Sequence, residues 1–218
     1  LDNFSYKDTN EFIFKSKKLS KNKTQERILY KDQNVIIVDE KGSVIVYSIE
    51  NQQIIFNYNF YKKKFKKIKK KLSIIIEKNI IYVSDNFGYL YALDYVNQKM
   101  LWAQDYKVPF RSNIKISDKK LFLADINNSL YFINKINGKK IKIIPTEEVL
   151  IKNNFVNSLS FNKDTLFYLN TYGSLYSIST NGKINWFINL NQSLDINPSN
   201  LFYSNPIIHH QDKLIIST

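Results

Sequence analysis

The chain has 218 residues, 44% hydrophobic and 15% aromatic, which is enough apolar material to build a folded core. It contains no apolar run long enough to span a bilayer as a helix, and zero cysteines exclude a disulfide framework and any thiolate metal site. The net charge of +13 comes from 32 basic residues, of which only Arg27 and Arg111 are arginine; lysine, asparagine and isoleucine share A/T-rich codons, so genome composition accounts for most of the bias and no nucleic-acid partner is expected.

Four related units then follow one another. The first, NVIIVDEKGSVIVYSIENQQIIF, covers residues 34–56 and the second, NIIYVSDNFGYLYALDYVNQKMLW, residues 79–102. The third, KLFLADINNSLYFINKINGKKIK, covers 120–142, and the fourth, TLFYLNTYGSLYSISTNGKINW, covers 165–186. Gly42, Gly88, Asn128 and Gly173 hold equivalent positions in them, 46, 40 and 45 residues apart. Each unit opens on a short β-branched or aromatic run that ends at a polar turn (DEKG, SDNFG, ADINN, NTYG), and a second alternating run follows directly. A further turn carries NQK or NGK; Gly138 and Gly182, each after an asparagine, suit a tight turn that needs positive φ. Runs at 72–77, 113–116, 156–161 and 206–209 supply one more strand ahead of their units.

Strand-like repeats of this length are propeller blades, because one blade's sheet cannot bury its faces without a neighbour on each side. The fold class expected is therefore all-β, a β-propeller of four-stranded blades. Blades are placed at residues 26–60, 72–106, 112–144 and 156–190, with an incomplete one at 205–218 and residues 1–25 as an N-terminal extension or a strand of a preceding blade. Such propellers close with about eight blades, so four and a half blades are expected to be a fragment of a larger propeller forming a single partial domain.

One segment breaks the regular charge pattern. Eight lysines, Lys62, Lys63, Lys64, Lys66, Lys67, Lys69, Lys70 and Lys71, fall within ten residues, and without them the net charge is +5. Phe65, Ile68 and Leu72 recur at helical spacing among them, so the segment reads either as a short basic amphipathic element for an anionic membrane surface or acidic partner, or as a solvated loop between blades. Catalytic constellations are not legible. His209 and His210 end a strand with no second ligand pair, Glu147 and Glu148 read as a solvated loop pair, and neither a Gly-rich phosphate loop nor a G-x-S-x-G elbow is present.

Ala92, Asp94, Lys99 and Trp102 lie in the spacing A-x-D-x-x-T-G-K-x-x-W, with Asn97 and Gln98 in place of its Thr and Gly. This resembles the tryptophan-docking motif of PQQ-like (quinoprotein-type) β-propellers, related in blade design to WD40 propellers. Phe56 takes the tryptophan slot in the first unit, Lys142 in the third and Trp186 in the fourth, so Phe56, Trp102 and Trp186 are structural repeat positions. Within that superfamily, VPFRSNIKISDKKLFLADINNSLYFIN (108–134) and EEVLIKNNFVNSLSFNKDTLFYLNTYGSLYSI (147–178) are similar to the BamB family of lipoproteins, which help insert β-barrel proteins into the bacterial outer membrane. The resemblance implies a non-catalytic scaffold without cofactor at the periplasmic face of a Gram-negative outer membrane. It further implies that Arg111, with acidic residues of the second segment such as Glu147 and Glu148, binds the periplasmic domains of a BamA-type barrel insertase. Asn153 and Asn154 stand where that family has carboxylates, and the family's N-terminal lipidated cysteine has no counterpart here.

The alternative is a piece of a quinoprotein dehydrogenase with its catalytic residues elsewhere. Its relatives use vicinal cysteines and acidic and amide calcium ligands, and this chain has no match to them. Adding pyrroloquinoline quinone and calcium is therefore expected to move neither the melting temperature nor the absorbance spectrum of the protein. Saturable binding of the quinone would restore the enzyme reading.

Overall fold

The computed structural model describes residues 16–25, 27–61, 65, 67–148, 154–191, 201–210 and 213–217. The β-branched and aromatic runs form four antiparallel sheets of four strands, each a simple meander in chain order. The first holds β1 (Leu29–Lys31), β2 (Asn34–Val38), β3 (Ser43–Ser48) and β4 (Gln53–Asn59). The second holds β5 (Leu72–Glu77), β6 (Ile80–Asp85), β7 (Tyr89–Asp94) and β8 (Lys99–Asp105). The third holds β9 (Lys115–Ser117), β10 (Lys120–Ala124), β11 (Leu130–Asn134) and β12 (Lys140–Ile144). The fourth holds β13 (Ser158–Asn162), β14 (Thr165–Leu169), β15 (Ser174–Ser179) and β16 (Ile184–Asn189). A two-stranded sheet, β17 (Ile208–His210) and β18 (Lys213–Ile215), follows.

The cores lie between sheets rather than within one. Ile81 and Val83 of β6 pack with Ile36, Val38 and Val46 of the first sheet, whereas Tyr82 between them packs with Leu121 and Leu123 of the third. Phe122 and Ala124 point the other way, into a core shared with Leu166, Tyr168 and Ile178 of the fourth sheet. Leu169 and Leu175 then meet Ile207, beside the two-stranded sheet. Successive side chains of a strand project to opposite faces, so each middle strand feeds two cores and must be apolar at nearly every position.

The first strands sit innermost. β9 approaches β13, β13 approaches β17, and Ser112 bridges Asn157 in parallel across two blades. The fourth strands are outermost, and β16 is exposed along most of its length. This is a propeller of four-stranded blades.

Equivalence of the repeat positions is written in the register. Val46 pairs with Phe56, Ala92 with Trp102, Phe132 with Lys142 and Ser177 with Trp186, each immediately before a β-bulge. The Trp102 indole donates to the Lys135 carbonyl at 3.0 Å and lies over Gly138, where a Cβ would fall 2.5 Å from the ring. At φ +70 and with no room for a side chain, that position requires glycine. Lys142 does a related job by reaching the next blade's Gly182 carbonyl with Nζ at 2.8 Å. Trp186 is 45% exposed and leans on Phe167.

A second repeated device closes the turn between the second and third strands. Asp39, Asp85, Asp125 and Asn170 occupy one position and are almost fully buried. Each side-chain Oδ1 accepts the backbone N–H groups two and four residues on, at 3.0 and 2.9 Å, 2.9 and 2.8 Å, 2.9 and 2.9 Å, and 3.1 and 3.0 Å respectively. This holds the backbone in the tight bend that Gly42, Gly88, Asn128 and Gly173 complete at φ of +88, +97, +63 and +95.

The second carboxylate oxygen takes a side-chain donor, from another segment in the first two blades and from the following strand in the third. Ser20 and Asn22 donate to Asp39, the Tyr61 hydroxyl to Asp85, and the Tyr131 hydroxyl to Asp125 at 2.9 Å. In the fourth blade the amide of Asn170 has no second carboxylate oxygen, and Glu147 supplies one. Its Oε2 accepts from Asn170 Nδ2 at 3.0 Å and from the Tyr176 hydroxyl at 2.7 Å, and its Oε1 accepts from Ser174 Oγ at 3.0 Å.

Burial raises the pKa of Asp85 and Asp125 against the hydrogen bonds they accept. At Asp39 burial also works upward, but donors from Ser43, Asn22 and Ser20 outweigh it and hold the carboxyl below its usual range. Glu147 is likewise held low, because Tyr176, Asn170 and Ser174 outweigh its burial.

A depressed carboxyl contributes stability that is present above the unfolded-state pKa and is lost as pH falls through the folded-state value. Replacing Asn170 with Asp sets two carboxylates against each other and is expected to cost about 1–3 kcal/mol at neutral pH in urea unfolding, with the deficit shrinking on acidification as the pair takes up a proton. Asp39→Ala, which removes the acceptor of two part-buried N–H groups, should cost about 1–3 kcal/mol, and Asp39→Asn clearly less, since an asparagine already does this work in the fourth blade. Equal losses for Asp39→Ala and Asp39→Asn would refute the capping role.

Candidate functional site

In an antiparallel meander the turns between second and third strands emerge on the same face as the connectors between blades. The opposite face carries the remaining hairpins. Three groups singled out from the sequence, the described lysines Lys67, Lys69, Lys70 and Lys71 ahead of β5, Arg111 ahead of β9, and Glu147 with Glu148 after β12, all lie in connectors and therefore share one face.

Arg111 is fixed through its backbone. Its N–H donates to the Ala124 carbonyl and its carbonyl accepts from Asn157, both at 2.9 Å. The guanidinium Nη2 donates to the Ile126 carbonyl at 3.1 Å and to Thr171 Oγ1 at 3.2 Å. Thr171 passes the connection to Asn128 Oδ1 at 3.0 Å, and Asn128 Nδ2 donates to the Glu147 carbonyl at 2.8 Å. Arg111 and the Glu147 segment are thus brought together across two blades. The Glu147 carboxylate is turned inward onto Asn170, Ser174 and Tyr176, whereas Glu148 is exposed. Ser112 is buried and structural, accepting the Ala124 N–H at 2.7 Å.

The lysine segment differs from both a helix and a uniformly solvated loop. Among the described residues there is no helix, and Phe65 adopts φ +58 with its ring stacked on Phe87 at 4.7 Å, so the expected helical stripe with Ile68 and Leu72 does not form. Leu72 enters the core instead and Ile68 is half exposed. Lys70 is buried: its ammonium donates to the Phe65 carbonyl and sits 5.3 Å from the Tyr61 ring centre, and burial lowers its pKa. It is part of the blade junction rather than of an exposed patch. Lys69 pairs with Glu40 at 3.4 Å, and Lys67 and Lys71 are exposed. Lys62, Lys63, Lys64 and Lys66 lie outside the described residues, as does Asn153.

Between the second and third blades, with Arg27 ahead of the first and Asn154 and Val156 ahead of the fourth also on its lining, this face opens into a cleft of about 450 Å³. Arg27, Lys71 and Arg111 stand on its wall beside Leu72, Phe110 and Val156. Sequence reasoning missed Arg27 and Lys71 as neighbours of Arg111, and it missed buried Asn157, which joins the Asp125 carbonyl to the Thr171 N–H. It also passed over the aligned Asp39, Asp85, Asp125 and Asn170, although they stand in the very turns whose glycines it matched.

No curated protein matches this chain. Among solved structures, the crystal structure of BamB from Moraxella catarrhalis matches with a TM-score of 0.72 at 13% identity, covering 88% of this chain and 57% of that one. The computationally designed Ika8 protein matches at 0.56 and 8% identity (87% and 66% covered), and the designed Ika4 protein at 0.54 and 10% (80% and 99% covered). At these identities the likeness is one of fold, and the chain spans little more than half the length of the BamB structure. A family model described as outer membrane protein assembly factor BamB matches residues 66–193, more than half of the chain and all of the segment that carries Arg111 and Glu147. The chain therefore belongs to the family of the outer membrane protein assembly factor BamB.

Proposed function

We propose that this chain is a non-catalytic scaffold for the assembly of β-barrel proteins at the periplasmic face of a Gram-negative outer membrane. Its connector-bearing face around Arg111 would be offered to the periplasmic domains of a BamA-type insertase. The observation that carries this reading is the family match, whose span contains Arg111, Glu147 and much of the cleft between the second and third blades.

The physics of the face agrees with such a role. Arg111 is held by backbone bonds on both sides and by Thr171, so little side-chain freedom remains to be lost when a partner binds. A planar guanidinium suits carboxylate or carbonyl acceptors on a partner surface, and arginine is enriched at the energetic centres of interfaces.

Titration calorimetry of the protein against the purified periplasmic domains of the BamA-type insertase from the same bacterium tests the proposal. Saturable binding is expected, with Arg111→Glu weakening it by about tenfold or more and a melting curve confirming that the variant is folded. Arg111→Ala serves as a second variant if the reversal unfolds the blade. Absence of binding by the parent, or unchanged affinity in a folded Arg111 variant, overturns it.

A further inference from the structure

We infer that the cleft between the second and third blades is a binding site for an extended acidic peptide segment, with Arg27 and Lys71 joining Arg111 as its cationic wall. The inference builds on the scaffold reading above by naming the chemistry that the partner brings.

Three positive side chains from three separate parts of the chain converge on one opening: Arg27 ahead of β1, Lys71 at the foot of β5 and Arg111 ahead of β9. Among the described residues that line the cleft, none is acidic. A fourth cation lies close by, since burial and the charge of Arg27 both lower the pKa of Lys115 on β9. Asp85 and Asp125, in the turns of the second and third blades, are buried and committed to backbone N–H groups and to the Tyr61 and Tyr131 hydroxyls. Asp125 offsets part of the Arg111 charge, and no described residue of the lining carries a negative charge that would offset Arg27 or Lys71. Cations gathered on one wall repel one another, and an incoming anion relieves that repulsion.

The apolar part of the wall favours a peptide over a small anion. Leu72, Pro109, Phe110, Ile126 and Val156 share the lining with the cations. They can take apolar side chains that flank a carboxylate along an extended chain, where alternate residues point to opposite sides. A volume of about 450 Å³ suits a few residues, not a folded domain.

Fluorescence anisotropy with a short fluorescein-labelled peptide alternating leucine and glutamate tests the site directly. The acidic peptide should bind, and its leucine–glutamine analogue should bind about tenfold more weakly. Lys71→Glu and Arg27→Glu change exposed side chains, so both variants should melt like the parent, yet each should weaken the acidic peptide by about tenfold while leaving the glutamine peptide unchanged. Rising salt should weaken the acidic peptide alone. Equal affinity for the two peptides, or indifference to both reversals, overturns the inference. So does displacement of the peptide by inorganic phosphate at matched concentration, or anionic vesicles binding with the same residue dependence. If the insertase domains fail to bind while the acidic peptide still does, the scaffold proposal falls and this one stands. If the domains bind equally well to Lys71→Glu and Arg27→Glu, this one falls.

Discussion

Each blade's middle strands must bury both of their faces, and the architecture follows from that requirement. Tyr82 goes to one core while Ile81 and Val83 go to another, so the second blade cannot be completed without the first and the third. Phe122 and Leu121 divide in the same way one blade later. A single sheet left alone would expose half of these side chains, at roughly 25 cal/mol for each Å² of apolar surface. Stability is therefore shared between neighbours, as in other repeat proteins, and sequence can drift inside a blade while the apolar alternation is kept.

Burying both faces pushes the polar work to the blade ends, where the chain has to turn. Asp39, Asp85, Asp125 and Asn170 each satisfy two backbone donors that the turn leaves without a ladder partner. In the first, second and fourth blades their remaining valence goes to Ser20 and Asn22, Tyr61 and Glu147, which staples a connector to the face, and in the third it goes to Tyr131 of the following strand. The fourth blade shows the chemistry most plainly. An asparagine has replaced the aspartate, and the carboxylate has reappeared as Glu147 from the preceding connector. The total charge at the turn is conserved while its covalent origin changes.

This anchoring fixes the connector-bearing face in place. Arg111 cannot wander, because its backbone is bonded on both sides and its guanidinium is engaged with Thr171 and Ile126. A similar economy governs the docking slot on the blade sides. Trp102 fills it with an indole and one hydrogen bond, and Lys142 fills it with a methylene stem and an ammonium on the Gly182 carbonyl. Both satisfy the same carbonyl-bearing turn of the next blade, which explains why a lysine is tolerated where the motif has tryptophan. The long stem of lysine packs as an apolar chain and only its tip demands a polar partner.

The repeat period, the strands and the glycine-bearing turns were determined by the sequence alone, because each depends on neighbours a few positions away. Alternation fixes which residues share a face, and a φ near +90 at Gly42, Gly88 or Gly173 selects glycine whatever the rest of the chain does. The tryptophan slot was legible for the same reason, as a fixed spacing within one unit. Tertiary structure decided everything that joins distant positions. Glu147 turns inward because Tyr176, 29 residues on, donates to it. Lys70 is buried because the Tyr61 ring and the Phe65 carbonyl close over its ammonium, which no charge count along the chain could register. Arg27, Lys71 and Arg111 become neighbours only because three blade connections open onto one face, and a shared face is a property of the assembled propeller, not of any segment of its sequence.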